Sequence, residues 1–202
     1  MGLETEGPML LGSSFTAIYD ACVLYPNVLR DTLLSVAGTG LFRAKWTARM
    51  HDEWVAAVRE DRPDIPEERL RALCATMDRA VPDCVVEGWE PLEAAAAAAL
   101  PDPRDGHVLA AAIRCRAGVI VTKNLRDFPP AALAPYDLEA QHPDDFIAHL
   151  LDLDDIAVCR ELRRQRQRWR KPPADVSEFL ATLERQELPL TVDALRRLAE
   201  FL

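Results

Sequence analysis

The sequence predicts an α/β domain with a mainly parallel sheet, followed by a small all-helical region. Short apolar segments alternate with helical patterns through most of the chain, and only helical patterns follow Pro143. The 202 residues are 49% hydrophobic and 28% charged, which is enough apolar material for a core and excludes global disorder. No apolar run approaches the roughly 18 residues of a membrane helix, so we expect no membrane partner.

The predicted strands are short and apolar. Phe15–Asp20 is apolar and β-branched and ends on an acid, and Val119–Val121 is fully apolar and ends at Thr122. Cys84–Val86 is predicted as a third short strand. Sites in parallel sheets form beyond the carboxyl ends of the strands. Asp20 and the segment Thr122–Asp127 are therefore candidates for a site.

Helical spacing and helix-breaking residues predict the other elements of this domain. In chain order they are a helix opened by Pro26 and ended by Gly38 and Gly40, one capped by Thr47, one begun by Pro66, a short helix over Ala94–Ala99, and a helix over Arg104–Ala117 closed by Gly118.

A domain boundary is predicted near residue 150, which divides the chain into residues 1–150 and 151–202. The second part is expected to form three helices, at about 154–170, 175–187 and 190–201, because Pro172, Pro173 and Pro189 interrupt its helical pattern.

The charge of the chain is unevenly distributed. A net charge of −9 would ordinarily disfavour nucleic acid as a partner. Residues 160–171, however, hold seven Arg or Lys and one Glu. This basic stripe is either a solvated helix face or a surface that binds phosphates or an acidic partner.

The five cysteines are odd in number and scattered, without a C-x-x-C pair. This pattern is typical of free thiols in a reducing compartment. The start of the chain, Met1–Pro8, carries Glu4 and Glu6 and no Lys or Arg, which is unlike a targeting peptide. Both observations favour a cytoplasmic protein.

Acidic residues at element ends suggest a metal site. Each has an ordinary explanation: Asp102 or Asp105 can cap a helix, Asp127 can belong to a turn, and Glu53 can be solvated. Asp20 at the end of an apolar strand is harder to explain without a partner. Carboxylates that converge repel one another unless a cation neutralises them, and a set of hard oxygen ligands favours Mg²⁺ or Mn²⁺. The corresponding reaction is hydrolysis of a phosphodiester.

The arrangement of these residues resembles the PIN-domain family and, more narrowly, the VapC-type toxin ribonucleases with an added helical C-terminal region. The resemblance covers roughly residues 15–150. The segments that carry it, in the family's order, are Ile18–Pro26, His51–Trp54, Pro101–Ala112 and Val119–Pro129.

The resemblance implies a three-layer α/β/α PIN-like domain and a metal-dependent endoribonuclease that leaves a 5′-phosphate and a 3′-hydroxyl. Asp20, Glu53 and Asp105 match the family's first three acids and are the expected catalytic residues. The fourth position is often Asp but is Asn124 here, so Asp127 is the nearest charged substitute. Asp20, Asp105 and Asp127 are the expected metal ligands. Thr122, Asn124 and Asp102 are expected to support the site.

The resemblance also implies partners. They are an RNA substrate, a cognate antitoxin and a second copy in a homodimer. Within the basic stripe, Arg163, Arg164 and Arg168 are candidates for binding RNA or the antitoxin. Trp169 either stacks on a base or packs the helix end against the domain.

Two other classes of protein remain open. Asn124 favours a catalytically inactive PIN-like module that binds RNA or protein. A haloacid-dehalogenase-like phosphatase would need Asp-x-Asp after the first strand, and the sequence reads Asp20-Ala-Cys22. His107 is more plausible as a packing or supporting residue than as a general base, and Cys22 is interpreted as packing.

Overall fold

The computed structural model describes residues 15–169 and 175–202. Its sheet has four parallel strands in the order β2-β1-β3-β4, which confirms the predicted fold class. The strands are β1 (Phe15–Tyr19), β2 (Phe42–Lys45), β3 (Val119–Val121) and β4 (Glu139–Gln141).

Helices surround this sheet and form all of the C-terminal part that the structure describes. They are α1 (Ala21–Leu24), α2 (Asn27–Ala37), α3 (Ala48–Asp61), α4 (Glu67–Ala80), α5 (Glu90–Ala99), α6 (Gly106–Cys115), α7 (Pro130–Leu133), α8 (Pro143–Leu153), α9 (Asp155–Arg168), α10 (Val176–Glu184) and α11 (Pro189–Arg197). Short 3-10 turns cover Pro103–Asp105, Leu125–Asp127, Ala134–Tyr136 and Ala199–Phe201.

Helix starts follow the predicted signals. Thr47 caps α3, since its hydroxyl accepts a hydrogen bond from the Met50 amide at 3.2 Å. Pro26 and Pro66 directly precede α2 and α4. Proline suits these positions because a helix start has no carbonyl to receive its amide.

Three predictions about local structure were wrong. Cys84–Val86 is not a strand, because only Val85 forms a bridge, to Trp46. The 104–117 helix is a 3-10 turn followed by α6, which ends at Cys115. Gly118 does not close it, because Arg116 adopts the left-handed conformation with φ +53°.

Aromatic rings cover one part of the sheet. Phe42 packs edge-on against Phe146 of α8 with ring centroids 5.0 Å apart, and Tyr19 contacts Phe146 and stacks on Trp46. The Tyr19 hydroxyl donates to the Leu33 carbonyl of α2 at 3.1 Å. These contacts pack the carboxyl end of β1 into the core.

Small residues let α5 approach α6 closely. A Cβ on Gly106 would lie 2.8 Å from the Cα of Ala97, so only glycine fits at this crossing. This explains the alanine run in α5 and fixes the start of α6, where Asp105 lies.

The C-terminal helices pack on the rest of the molecule. Helix α9 contacts α2, and α11 contacts α8. Buried apolar residues form one cluster that includes both Ile18 of the sheet and Leu195 of α11. The boundary near residue 150 remains a prediction, and α8 runs through that position. In the described ranges, no helix combines the length and the hydropathy of a membrane span.

Candidate active site

The carboxyl ends of β1 and β3 lie side by side. The Asp20 amide donates to the Val121 carbonyl at 3.1 Å, and the Thr122 amide donates to the Gln141 carbonyl of β4 at 3.0 Å. These backbone bonds place Asp20 and Thr122 next to each other, although 102 residues separate them. The prediction that both emerge at one sheet edge is confirmed.

Asp20 is buried, with 6% of its surface exposed. Its Oδ2 accepts a hydrogen bond from the Thr122 hydroxyl at 2.7 Å and from the Cys22 thiol at 3.0 Å. Asp20 precedes α1 but does not cap it with its side chain. Two neutral donors therefore orient this carboxylate without cancelling its charge.

Sequence reasoning missed the role of Cys22, which it assigned to packing. The thiol lies between Asp20 and the Thr122 hydroxyl, at 3.4 Å from the latter, and accepts from the Lys123 amide at 3.3 Å. Burial, with the charge of Asp20, raises the pKa of Cys22 to about 12. Cys22 is thus a neutral donor. Its spacing two residues after Asp20 was the available signal.

Asp105 is the last residue of the 3-10 turn and occupies the N-cap position of α6. Its side chain makes no capping bond, so the ordinary explanation for this acid does not apply. Burial, followed by the charges of Asp20, Asp127 and Asp102, raises the pKa of Asp105 to about 6. Asp105 is the residue on which the negative charge of the site converges.

Glu53 projects from α3 with 37% of its side chain exposed. Its Oε1 lies 3.0 Å from Nε2 of His107 and 3.3 Å from Nε of Arg49. His107 is 2% exposed, and its Nδ1 has no partner in the described part of the chain. Nε2 is therefore the protonated nitrogen that donates to Glu53, and His107 supports this acid rather than acting as a free base.

The Asp102 side chain binds the backbone and side chain of nearby Arg104. Its Oδ1 accepts from the Arg104 amide at 2.9 Å and so caps the 3-10 turn, while its carboxylate pairs with the Arg104 guanidinium at 2.7 Å. These bonds lower the pKa of Asp102. This geometry confirms the capping explanation for Asp102.

An open cleft of about 410 Å³ joins the outer residues of the site. Its lining residues are Arg49, Glu53, Asp102, Arg104, Asp105, His107, Asn124 and Asp127. Asp20 does not line this cleft, but its negative charge acts on Asp105, which does. Within the described ranges, no three His, Cys, Asp or Glu side chains are placed so that they could hold a metal ion. The ligand set Asp20, Asp105 and Asp127 therefore remains a prediction.

Asn124 and Asp127 belong to the loop after β3, which we call the active-site loop (residues 122–127). The Asn124 amide donates to the Thr122 hydroxyl at 2.9 Å, and the Asp127 amide donates to the Asn124 carbonyl at 3.0 Å. The loop therefore folds back on Thr122. This turn brings both side chains to the cleft.

Some arginines of the basic stripe bind acidic or polar side chains of the same chain. Arg168 binds Asp31 and Ser35 of α2, both at 2.9 Å, and Arg164 pairs with Glu161 at 2.8 Å. Arg163 is exposed. The role of these arginines in binding RNA or an antitoxin remains a prediction, and Arg170 and Lys171 lie outside the described residues.

Trp169 packs against the C-terminal helices. Its ring lies 5.3 Å from that of Phe179 in an edge-on arrangement. This contact favours the packing interpretation over base stacking.

The parallel sheet with acids at its carboxyl edge defines an α/β protein with a helical C-terminal region. Residues 143–197 match the model of the VapC50 C-terminal domain family. A curated relative from Mycobacterium tuberculosis (strain ATCC 25618 / H37Rv), named "Putative ribonuclease VapC50", is 45% identical over 83 residues. No solved structure matches.

The match to that relative is partial. It covers 41% of this chain and 49% of the relative, so the chain spans about half of the relative's length. Together with the fold, the two findings confirm the resemblance to VapC-type PIN proteins with a C-terminal extension.

Proposed function

We propose that this chain is a metal-dependent endoribonuclease that acts as the toxin of a toxin–antitoxin pair. The observation that carries the proposal is the convergence of uncompensated carboxylates at the sheet edge. Asp20 is held there by neutral donors, and the pKa of Asp105 is raised to about 6 beside it. The name of the mycobacterial relative supports RNA as the substrate.

The donor types of the site suit a hard divalent cation, although no three of these side chains are placed to hold one in the described part of the chain. The donors are carboxylate and amide oxygens, which Mg²⁺ and Mn²⁺ prefer. Burial first, and then the charges of neighbouring carboxylates, raise the pKa of Asp105, and a cation would relieve the repulsion between these charges. Asp20, Asp105 and Asp127 would hold it. When bound, such an ion would supply an acidic water and would neutralise charge on a phosphate.

The protein residues have separate tasks in this mechanism. Thr122 and Cys22 orient the Asp20 carboxylate, and the buried His107 orients Glu53 toward the cleft. Arg49 and Arg104 line the same cleft, where their guanidinium groups can face phosphate oxygens of a bound strand. Glu53 is the expected proton acceptor, because it lines the open cleft and 37% of its side chain is exposed.

The first test is RNA cleavage by the purified chain with Mg²⁺ and with a chelator. Asp20→Asn, Glu53→Gln and Asp105→Asn, made separately, are each expected to abolish cleavage. Asp52→Asn is the matched control, since Asp52 adjoins Glu53 but pairs with exposed Arg71 on α4. Undiminished magnesium-dependent cleavage in all three acid variants would reject the mechanism.

The second test concerns the biological role. Induction of the chain in bacteria is expected to arrest growth, and Asp20→Asn is expected to remove the arrest. A small adjacent reading frame that encodes an antitoxin should restore growth when it is co-expressed. Sequencing of the new RNA ends should find 5′-phosphates and identify the RNA target.

One observation favours a second candidate, an inactive module that binds RNA or protein. Asn124 occupies a position that is often acidic in the family, and its backbone amide binds Thr122. If Asn124→Asp creates cleavage in a chain that otherwise binds RNA without cutting it, the module is the correct function.

A further inference from the structure

A lysine in the active-site loop is bound to the C-terminal region. Nζ of Lys123 lies 2.7 Å from Oε2 of Glu187, and the Lys123 side chain is only 25% exposed. The backbone amide of the same residue donates to the Cys22 thiol at 3.3 Å. Lys123 therefore connects the residues around Asp20 with a carboxylate 64 residues further along the chain.

Glu187 is held in place by its own surroundings. It lies in the turn between α10 and α11 with φ +65°, and its amide donates to the Glu184 carbonyl at 3.0 Å. The following Leu188 is fully buried. A residue in this backbone conformation, next to a buried anchor, has little freedom to follow a moving loop.

A second contact fixes the same turn to the body of the molecule. The buried carboxylate of Asp144, in α8, accepts from the amides of Leu190 and Thr191 at 2.8 Å each. These bonds satisfy amides at the start of α11, which no helical carbonyl can reach. The Glu187 turn is consequently anchored to the body of the molecule rather than to a free tail.

We propose that Glu187 is a positioning residue through which the C-terminal region braces the active-site loop. The Lys123–Glu187 ion pair restrains the loop at its second residue, between Thr122, which binds Asp20, and Asn124, which lines the cleft. The brace assigns a task to the C-terminal region. Its consequence for cleavage rests on the proposed function.

The expected effect is small, because Glu187 is 71% exposed and exposed ion pairs contribute little. Glu187→Gln should raise amide hydrogen exchange in residues 123–128 by about two- to fivefold. Added salt should raise that exchange in the parent protein and have less effect in the variant. Both measurements are made on the full chain without RNA.

The matched control is Glu184→Gln. Glu184 ends α10, three residues before Glu187, and forms an exposed ion pair with Arg196 rather than with the active-site loop. It is expected to leave exchange in residues 123–128 unchanged. A double-mutant cycle with Lys123→Met should find that the Glu187→Gln effect disappears when the lysine is absent.

Measurements of RNA cleavage distinguish a failure of the proposed brace from a failure of the proposed function. Glu187→Gln should lower the cleavage rate about two- to fivefold and leave RNA affinity unchanged. A parent protein that does not cut RNA would reject the nuclease proposal, while the exchange result would still decide the brace. Unchanged exchange would overturn the brace. Faster cleavage with tighter RNA binding would also overturn it, because Lys123 would then be a phosphate ligand that Glu187 masks.

Discussion

Asp20 and Asp102 belong to the same acidic neighbourhood, but different partners satisfy them. Asp20 is buried and accepts from a hydroxyl and a thiol, both neutral. Asp102 accepts a hydrogen bond from a backbone amide and pairs with the cationic, exposed side chain of Arg104. Neutral donors orient a charge and leave it available, whereas a cationic partner cancels it. An acid at a predicted site is thus better judged by its partners than by its position.

The largest expected effect contrasts these two acids. Asp20→Asn should lower RNA cleavage by at least about a hundredfold, as expected when a charged group of the reaction is lost. Asp102→Asn should change it only a few-fold, because Asn also caps helical turns well. Initial rates of cleavage of a defined RNA test both. Equal losses in the two variants would show that the comparison fails.

A third buried acid, Asp144, tests whether neutral donors around a carboxylate contribute to the stability of the fold. Asp144, like Asp20, is buried and accepts from neutral donors, but its donors are two backbone amides of α11. Asp144→Ala should lower the free energy of unfolding by about 2–3 kcal/mol, measured by urea denaturation. Asp145→Ala, its exposed neighbour in α8, is the control. A smaller loss in Asp144→Ala than in the control would contradict this.

The orienting hydroxyl can be removed alone. Thr122→Val keeps the shape of the side chain but removes the donor to Asp20 and the acceptor for the Asn124 amide. The free energy of unfolding should fall by about 1–2 kcal/mol in urea, and Thr122→Ser should retain most of it. If the valine variant is as stable as the serine variant, these bonds do not contribute.

The smallest effect is the pH dependence that Asp105 contributes. Its pKa is raised in the folded protein to about 6, so its protonated form is favoured by folding. The stability that this proton contributes is full below the unfolded pKa of roughly 3.9 and is lost as pH rises through about 6. Asp105→Asn should remove that decline between pH 4 and 6. Carboxyl NMR should also find that Mg²⁺ lowers the pKa of Asp105, and no change on Mg²⁺ addition would argue against a metal there.

Much of the fold could be predicted because its elements carry their own patterns. Val119–Val121 is a strand that the sequence predicts to the residue. β2 and β4 were not predicted. In β2, the apolar residues alternate with the charged Arg43 and Lys45. The edge strand β4 carries the polar residues Glu139 and Gln141, and its extended conformation depends on pairing with β3.

The site was predictable to the extent that it follows from sheet topology. Asp20 and Thr122 follow apolar strands, and parallel strands bring their carboxyl ends together. The Cys22 bond to Asp20, the His107 bond to Glu53 and the Arg168 bond to Asp31 could not be predicted, because each depends on how a helix is rotated about its axis. Composition indicated a basic surface, but tertiary packing decides which arginines stay free.

The apolar cluster that extends from Ile18 to Leu195 has a consequence for how the chain acquires and loses its structure. Residues after α8 cover side chains that would otherwise meet water, so the two parts should melt in a single cooperative transition. Neither residues 15–153 nor residues 155–202 should then fold stably when produced alone.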